Sequence, residues 1–174
     1  IDPYFLGLWL GDGHSYSSRI STADEEVVES MQGMAVEMGR ELSTYVQPGR
    51  TPNYSITKGH RGGRHEDSIQ GALAMAGLIG NKHIPQAYIT NSTENRLALL
   101  AGLIDSDGHY NAEFNVYEIV QKNEELARSI KFLCDTVGFK TSIRAKKATI
   151  KDRGFEATVY RVRISGHLDR VPVR

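Results

Sequence analysis

The chain is poor in cysteine and proline, has one tryptophan, and carries no surplus charge of either sign. Among 174 residues Cys134 is the only cysteine. A single thiol cannot build an internal disulfide framework and suits a reducing intracellular compartment. It sits between Leu133 and Asp135 in a helical pattern, which reads as a packed core thiol rather than a nucleophile. No apolar run is long enough to span a bilayer, so no membrane partner is expected. The amino-terminal stretch shows no signal-peptide pattern. What the chain does have is an apolar fraction of 40% with 17 Gly, enough for a real core in one or two units.

The most informative feature is a repeat. Phe5-Leu6-Gly7-Leu8-Trp9-Leu10-Gly11-Asp12-Gly13-His14 is echoed by Leu100-Ala101-Gly102-Leu103-Ile104-Asp105-Ser106-Asp107-Gly108-His109. Each copy is an apolar run closing on Asp-Gly-His. Downstream, Asp24-Glu25-Glu26 opens an amphipathic stretch closing at Gly39, and Asn123-Glu124-Glu125 opens one closing at Gly138. Tyr54-Ser55-Ile56-Thr57-Lys58-Gly59 is answered by Arg161-Val162-Arg163-Ile164-Ser165-Gly166. The expected division is 1–90 and 91–174, two similar halves in one monomer. One carboxylate per half at matched positions suits a substrate that is itself nearly two-fold, such as duplex DNA.

The zero net charge hides a separation. Residues 1–138 hold 11 Lys and Arg against 18 Asp and Glu, whereas 139–174 hold 10 against 3. Leu42 to His65 contains Arg50, Lys58, Arg61 and Arg64 and no acid. The positive charge is therefore local, as on a nucleic-acid-binding face. Periodicity predicts helices over 3–11, 24–40, 66–79, 91–107 and 123–137, and strands over 15–22, 44–47, 53–58, 113–120, 140–146 and 157–165. Strand parity turns one side of each sheet outward. That side presents Arg19, Asn53, Ser55, Thr57, Arg144, Lys146, Arg161 and Arg163, with Arg50, Lys58 and Arg61 from the adjoining loops. Such side chains can meet phosphates and base edges, although a plain solvated sheet would show the same alternation.

The aspartates need an explanation of their own. Gly7 and Gly11, like Gly102 and Ser106, are four apart and share a helix face. Small residues there let two backbones approach closely. Asp12 and Asp107 would then meet where the two helices end, repelling each other and the helix dipoles. Divalent cations with oxygen ligands remove that penalty and can activate water against a phosphate.

The two runs resemble the motif of the LAGLIDADG homing endonucleases, and Leu6–Gly13 resembles its form in intein-encoded members. The resemblance covers the whole chain in order and spacing, and two motifs in series make it specific. It implies an α+β protein of two pseudo-symmetric αββαββ(α) halves, with the motif helices paired at the interface and saddle-shaped antiparallel sheets over a long DNA site. It also implies Mg²⁺-dependent cleavage of both strands, in service of intron or intein homing. By the same resemblance Asp12 and Asp107 hold the metal, with Gly11 and Ser106 beside them as ligand positions, and Asp105 is structural. Lys82, in Gly80-Asn81-Lys82-His83-Ile84-Pro85, matches the catalytic lysine that polarises water or the scissile phosphate. Its counterpart in the second half is expected just after Pro172-Val173-Arg174. No splicing nucleophile or terminal His-Asn is visible, so the segment reads as the endonuclease part alone. The alternative is a catalytically silent DNA- or RNA-binding module, a maturase or regulator. Retention of both motif acids favours the nuclease, acting on genomic DNA and, in a eukaryote, in the nucleus.

Overall fold

Asp2 starts the first helix by accepting a hydrogen bond from the Phe5 amide at 2.9 Å, and Pro3 follows at its first turn. This pair is a strong start signal. In the computed structural model, which describes residues 1–59, 67–150 and 155–174, helix α1 runs Pro3–Asp12. Tyr4 through Leu10 are all buried, so α1 is apolar on every side and lies at the centre of the molecule. Its neighbour is the second motif helix, capped by Ser92 and running from Thr93 to Asp107, with Leu99 to Ile104 buried in turn.

The elements before that helix are β1 (Ile20–Ser21), α2 (Glu25–Glu37), β2 (Glu41–Tyr45), β3 (Asn53–Thr57), α3 (Ile69–Met75) and α4 (Gln86–Ile89). The second motif helix is α5. After it come β4 (Gly108–Asn111), β5 (Val116–Gln121), α6 (Glu124–Thr136), β6 (Lys140–Ile150), β7 (Phe155–Ser165) and a 3₁₀ turn at Leu168–Arg170. Two antiparallel sheets result, ordered β1-β3-β2 and β4-β5-β7-β6. Helix α2 covers the first sheet with Val27, Met31 and Ala35. Helix α6 covers the second with Leu126, Ala127, Ile130, Leu133 and Cys134. The protein is α+β, and one core cluster passes through both halves. Asp24 and Asn123 cap α2 and α6 through the same pair of amides, and Gly39 and Gly138 follow with φ of +62° and +89°. The expected repeat of these helices is thus reproduced down to their caps.

Several boundaries differ from the sequence reading. The strand expected at 15–22 is reduced to Ile20–Ser21 plus a bridge from Gly13 to Ile20. The intervening residues turn because Trp9 Nε1 donates to the Ser17 carbonyl at 2.8 Å and His14 N to the Arg19 carbonyl. The strand expected at 44–47 lies at Glu41–Tyr45, where Leu42 and Ile56 are register partners. The strand expected at 113–120 is a hairpin: Glu113 and Phe114 sit in a turn completed by Asn115 at φ +49°, which Asn tolerates better than most residues. Helix α3 stops at Met75 and Gly77 takes φ +68°, short of the expected 79, while its expected start at Glu66 lies outside the described residues. Helix α4 was not anticipated. The third echo also shifts by one residue. Ile56 and Ile164 are both buried, so Asn53 and Ser55, rather than Tyr54 and Ile56, stand where Arg161 and Arg163 stand.

Candidate functional site

Glycine contact lets the two motif helices touch backbone to backbone. A Cβ on Gly7 would lie 2.2 Å from the Leu99 carbonyl oxygen, and one on Gly102 would lie 2.1 Å from that of Tyr4. No side chain fits at either place. One turn on, a Cβ on Gly11 would meet Ser106 Oγ at 2.1 Å and Asp107 Cγ at 3.3 Å. The helices are therefore in contact up to their last turns, where Asp12 and Asp107 face the same small space.

The electrostatics follow from that closeness. Burial, then the charge of Asp107, pushes the Asp12 carboxyl up to about 6, with Lys82 opposing. Burial also raises Asp107, against the Gln121 hydrogen bond and Lys82. Lys82 lies between the two halves of this problem. Its Nζ donates to the carbonyls of Leu10, Gly11 and Gly13 at 3.1, 3.1 and 2.7 Å and lies 5.1 Å from the Trp9 ring centroid. It thus caps the C-terminus of α1 with a cation and complements the helix dipole where Asp12 opposes it. Burial lowers its own pKa. Its acceptors are two carbonyls of the last turn of α1 and that of the capping Gly13, so the lysine holds the helix end and the field around it.

Gly11 keeps one carbonyl lone pair beyond its bond to Lys82. Ser106 Oγ turns back to the Gly102 carbonyl at 2.8 Å. Among the described residues no group of three or more His, Cys, Asp or Glu could hold a metal ion. The donor set on offer is therefore two carboxylates with adjoining backbone carbonyls, an all-oxygen set that fits a hard divalent cation. Asp105 is directed elsewhere: Tyr4 Oη and the Arg174 amide both donate to its Oδ2, at 2.9 and 3.0 Å. His14 Nε2 is 3.1 Å from Ser21 Oγ, beside the first sheet.

The outward sheet faces gather most of the residues expected there. On the first sheet Arg19 is exposed and stacks 4.2 Å over Tyr45. Asn53 Oδ1 accepts from Ser21 Oγ at 2.7 Å, and Thr57 Oγ1 lies 2.8 Å from Ser43 Oγ. Arg50 is exposed in the β2–β3 turn. Ser55 is 6% exposed and its hydroxyl meets that of Ser18 at 3.1 Å, so the 14–19 turn covers it. Lys58 pairs with Asp67 at 3.2 Å. Arg61 lies outside the described residues. On the second sheet Arg144 faces Arg161, Ser142 faces Arg163 and Lys146 faces Val159. Two residues went unnoticed in the sequence, Gln121 against Asp107 and Glu118 between Arg161 and Arg163. Only the parity of β5 could have exposed them, and the turn at 112–115 obscured it.

Two motif helices in backbone contact, an aspartate at the end of each, and a flanking antiparallel sheet on either side define the scaffold. This is the LAGLIDADG homing endonuclease fold. Residues 94–170 match the model of the LAGLIDADG-like domain. The fold matches the homing endonuclease I-DmoI in a variant complex with target DNA and manganese, at 16% identity and TM-score 0.61, covering 98% of this chain and 97% of that one. It matches I-DmoI in complex with DNA and calcium at the same identity and score, covering 94% and 82%. Among curated proteins, it is 31% identical over 147 residues to the replicative DNA helicase DnaB of Mycobacterium intracellulare, covering 84% of this chain and 21% of the helicase. It is 26% identical over 188 residues to an iron-sulfur cluster assembly SufBD family protein of Mycobacterium leprae (strain TN), covering 98% and 20%. The chain therefore spans about a fifth of the length of these relatives.

Proposed function

We propose that this chain is a site-specific double-stranded DNA endonuclease, the homing endonuclease portion of an intein, acting as a monomer with Mg²⁺. The observation that carries the reading is the pair of half-buried carboxylates, Asp12 and Asp107, brought to one place by helices that touch through glycine. Like-charged groups held together out of water are costly, and a site that retains them does so for a cation. Each half supplies one aspartate and one sheet, which matches two strands of one duplex.

Solved relatives of the fold include complexes with target DNA and divalent metal, which supports both partner and cofactor. The intein assignment is supported by the relatives' identities. A helicase and an iron-sulfur assembly protein share no chemistry, yet each carries a similar segment over a fifth of its length. A mobile insert explains that pattern.

Asp12 and Asp107, with the backbone carbonyls of Gly11 and Ser106, would hold the cation. When bound, it supplies an activated water and neutralises charge on the leaving oxygen. Lys82 sets the position of the α1 end and lowers the cost of the carboxylates. Gln121 fixes the orientation of Asp107. The polar sheets hold the duplex by phosphate contacts and base-edge readout. Cleavage would take place inside the cell, in a reducing compartment.

The test is incubation with a random duplex library in Mg²⁺ or in EDTA, followed by sequencing of the ends. The expected result is metal-dependent cleavage at one long site, abolished in Asp12→Asn and Asp107→Asn while binding persists. Full cleavage by either variant, or cleavage in EDTA, would refute the assignment.

A further inference from the structure

Glu118 is a charged residue placed where a charge is costly. It lies on the outward face of β5, is 9% exposed, and has two arginines on it. Arg163, its register partner, brings Nε to 2.8 Å from Oε1, close enough for an ion pair though off-line for a hydrogen bond. Arg161 NH1 is 3.5 Å from Oε2. The Arg163 guanidinium also stacks 5.2 Å from the Phe114 ring, so it is clamped between an acid and an aromatic. Both arginines are only about a third exposed, at 36% and 34%.

Beside them lies a cavity of about 180 Å³ lined by Arg144, Ala145, Lys146, Arg161 and Arg163. Arg144 and Arg161 face each other directly across the strands, an arrangement that repels. A single carboxylate against four cations leaves the patch strongly positive. The two kinds of cation differ in freedom. Arg144 and Lys146 are exposed and free to follow a phosphate. Arg161 and Arg163 are pinned, and Arg161 Nε is buried with no acceptor among the described residues. A pinned guanidinium with outward donors suits a fixed pair of acceptors. On duplex DNA that pair is O6 and N7 of guanine.

The first half carries a different solution. Arg19 precedes the α2 cap Asp24 by the same interval at which Glu118 precedes the α6 cap Asn123. Where the second half has an acid beside Arg161 and Arg163, the first has a base, Arg19, stacked over Tyr45, the register partner of Asn53.

We propose that Glu118 is a positioning residue that holds Arg161 and Arg163 as guanine readers, so that the half-site under β5–β7–β6 demands guanine and the other half-site does not. The inference rests on the DNA reading above. The full chain is exposed to randomised duplexes in EDTA, which prevents cleavage, and bound sequences are read for the parent, Arg163→Ala and Glu118→Gln. Affinities for the selected duplex and a scrambled one are then measured, together with thermal melts. The parent should show guanine positions confined to one half-site, and Arg163→Ala should erase one of them. Glu118→Gln should weaken preference at the same position about tenfold. It should bind the scrambled duplex as tightly as the parent or more so, because a negative charge has been removed. A merely structural Glu118 would lower the melt and weaken all duplexes alike, and that result overturns the proposal. Guanine preference unchanged in Glu118→Gln also overturns it, with DNA binding intact. Failure to bind any duplex removes the DNA reading and the inference together.

Discussion

Replacing Asp12 with Asn should stabilise the metal-free protein at neutral pH. In the fold its carboxyl is pushed up to about 6 by burial and by Asp107. In the unfolded chain an aspartic acid titrates near 3.9. The folded state therefore binds this proton more tightly, and ionisation costs stability. That cost is absent below about pH 4, develops as pH rises towards 6, and is complete above it. At ~1.4 kcal/mol per pH unit, a two-unit shift corresponds to about 2.8 kcal/mol. Asp12 is only half-buried, and screening by solvent reduces the figure to roughly 1–1.5 kcal/mol. Asn keeps the shape and cannot ionise. Thermal unfolding followed by circular dichroism in EDTA should show a Tm about 2–6 °C higher at pH 7 for Asp12→Asn. The advantage should shrink as pH falls from 6 to 4. Mg²⁺ should raise the parent's Tm more than the variant's, because the ligand has lost its charge. A variant less stable than the parent in EDTA at pH 7, or a Tm gap flat across that pH range, would refute the electrostatic account.

Gly102→Ala should cost about 1–3 kcal/mol, because a Cβ 2.1 Å from the Tyr4 carbonyl must drive the motif helices apart. Gly33→Ala, inside α2 with nothing within 4 Å, should stabilise by about 0.5–1 kcal/mol; chemical denaturation of both variants separates contact from propensity. Lys82→Met should destabilise the fold by about 2–4 kcal/mol, since the carbonyls of Leu10, Gly11 and Gly13 lose their donor. The same change should move the Asp12 pKa above its parent value, read by carboxyl NMR titration, and an unmoved Asp12 would separate the lysine from the site.

Much of the architecture was legible because it is written in short-range chemistry. Asp24 and Asn123 announce their helices through side chains that reach amides two and three residues ahead. The glycines of the two motifs announce a close approach because nothing larger fits between two backbones. The unbroken apolar run Tyr4–Leu10 can only belong at the centre. The sequence by itself thus determined the motif helices, the matched aspartates, and a basic stretch over 139–174. Tertiary structure decided what those groups are free to do. Ser55 alternates outward but is closed over by a turn that Trp9 holds from another element. Lys82, a solvated lysine by local pattern, is drawn 72 residues back along the chain to cap α1. Gln121 meets Asp107 only because a hairpin returns β5 to the end of α5. Glu118 meets its arginines only through the register of β5 on β7. Hydrogen bonds and ion pairs act over a few ångströms of space, and nothing local in a sequence records which distant residues the packing of a core will bring within that range.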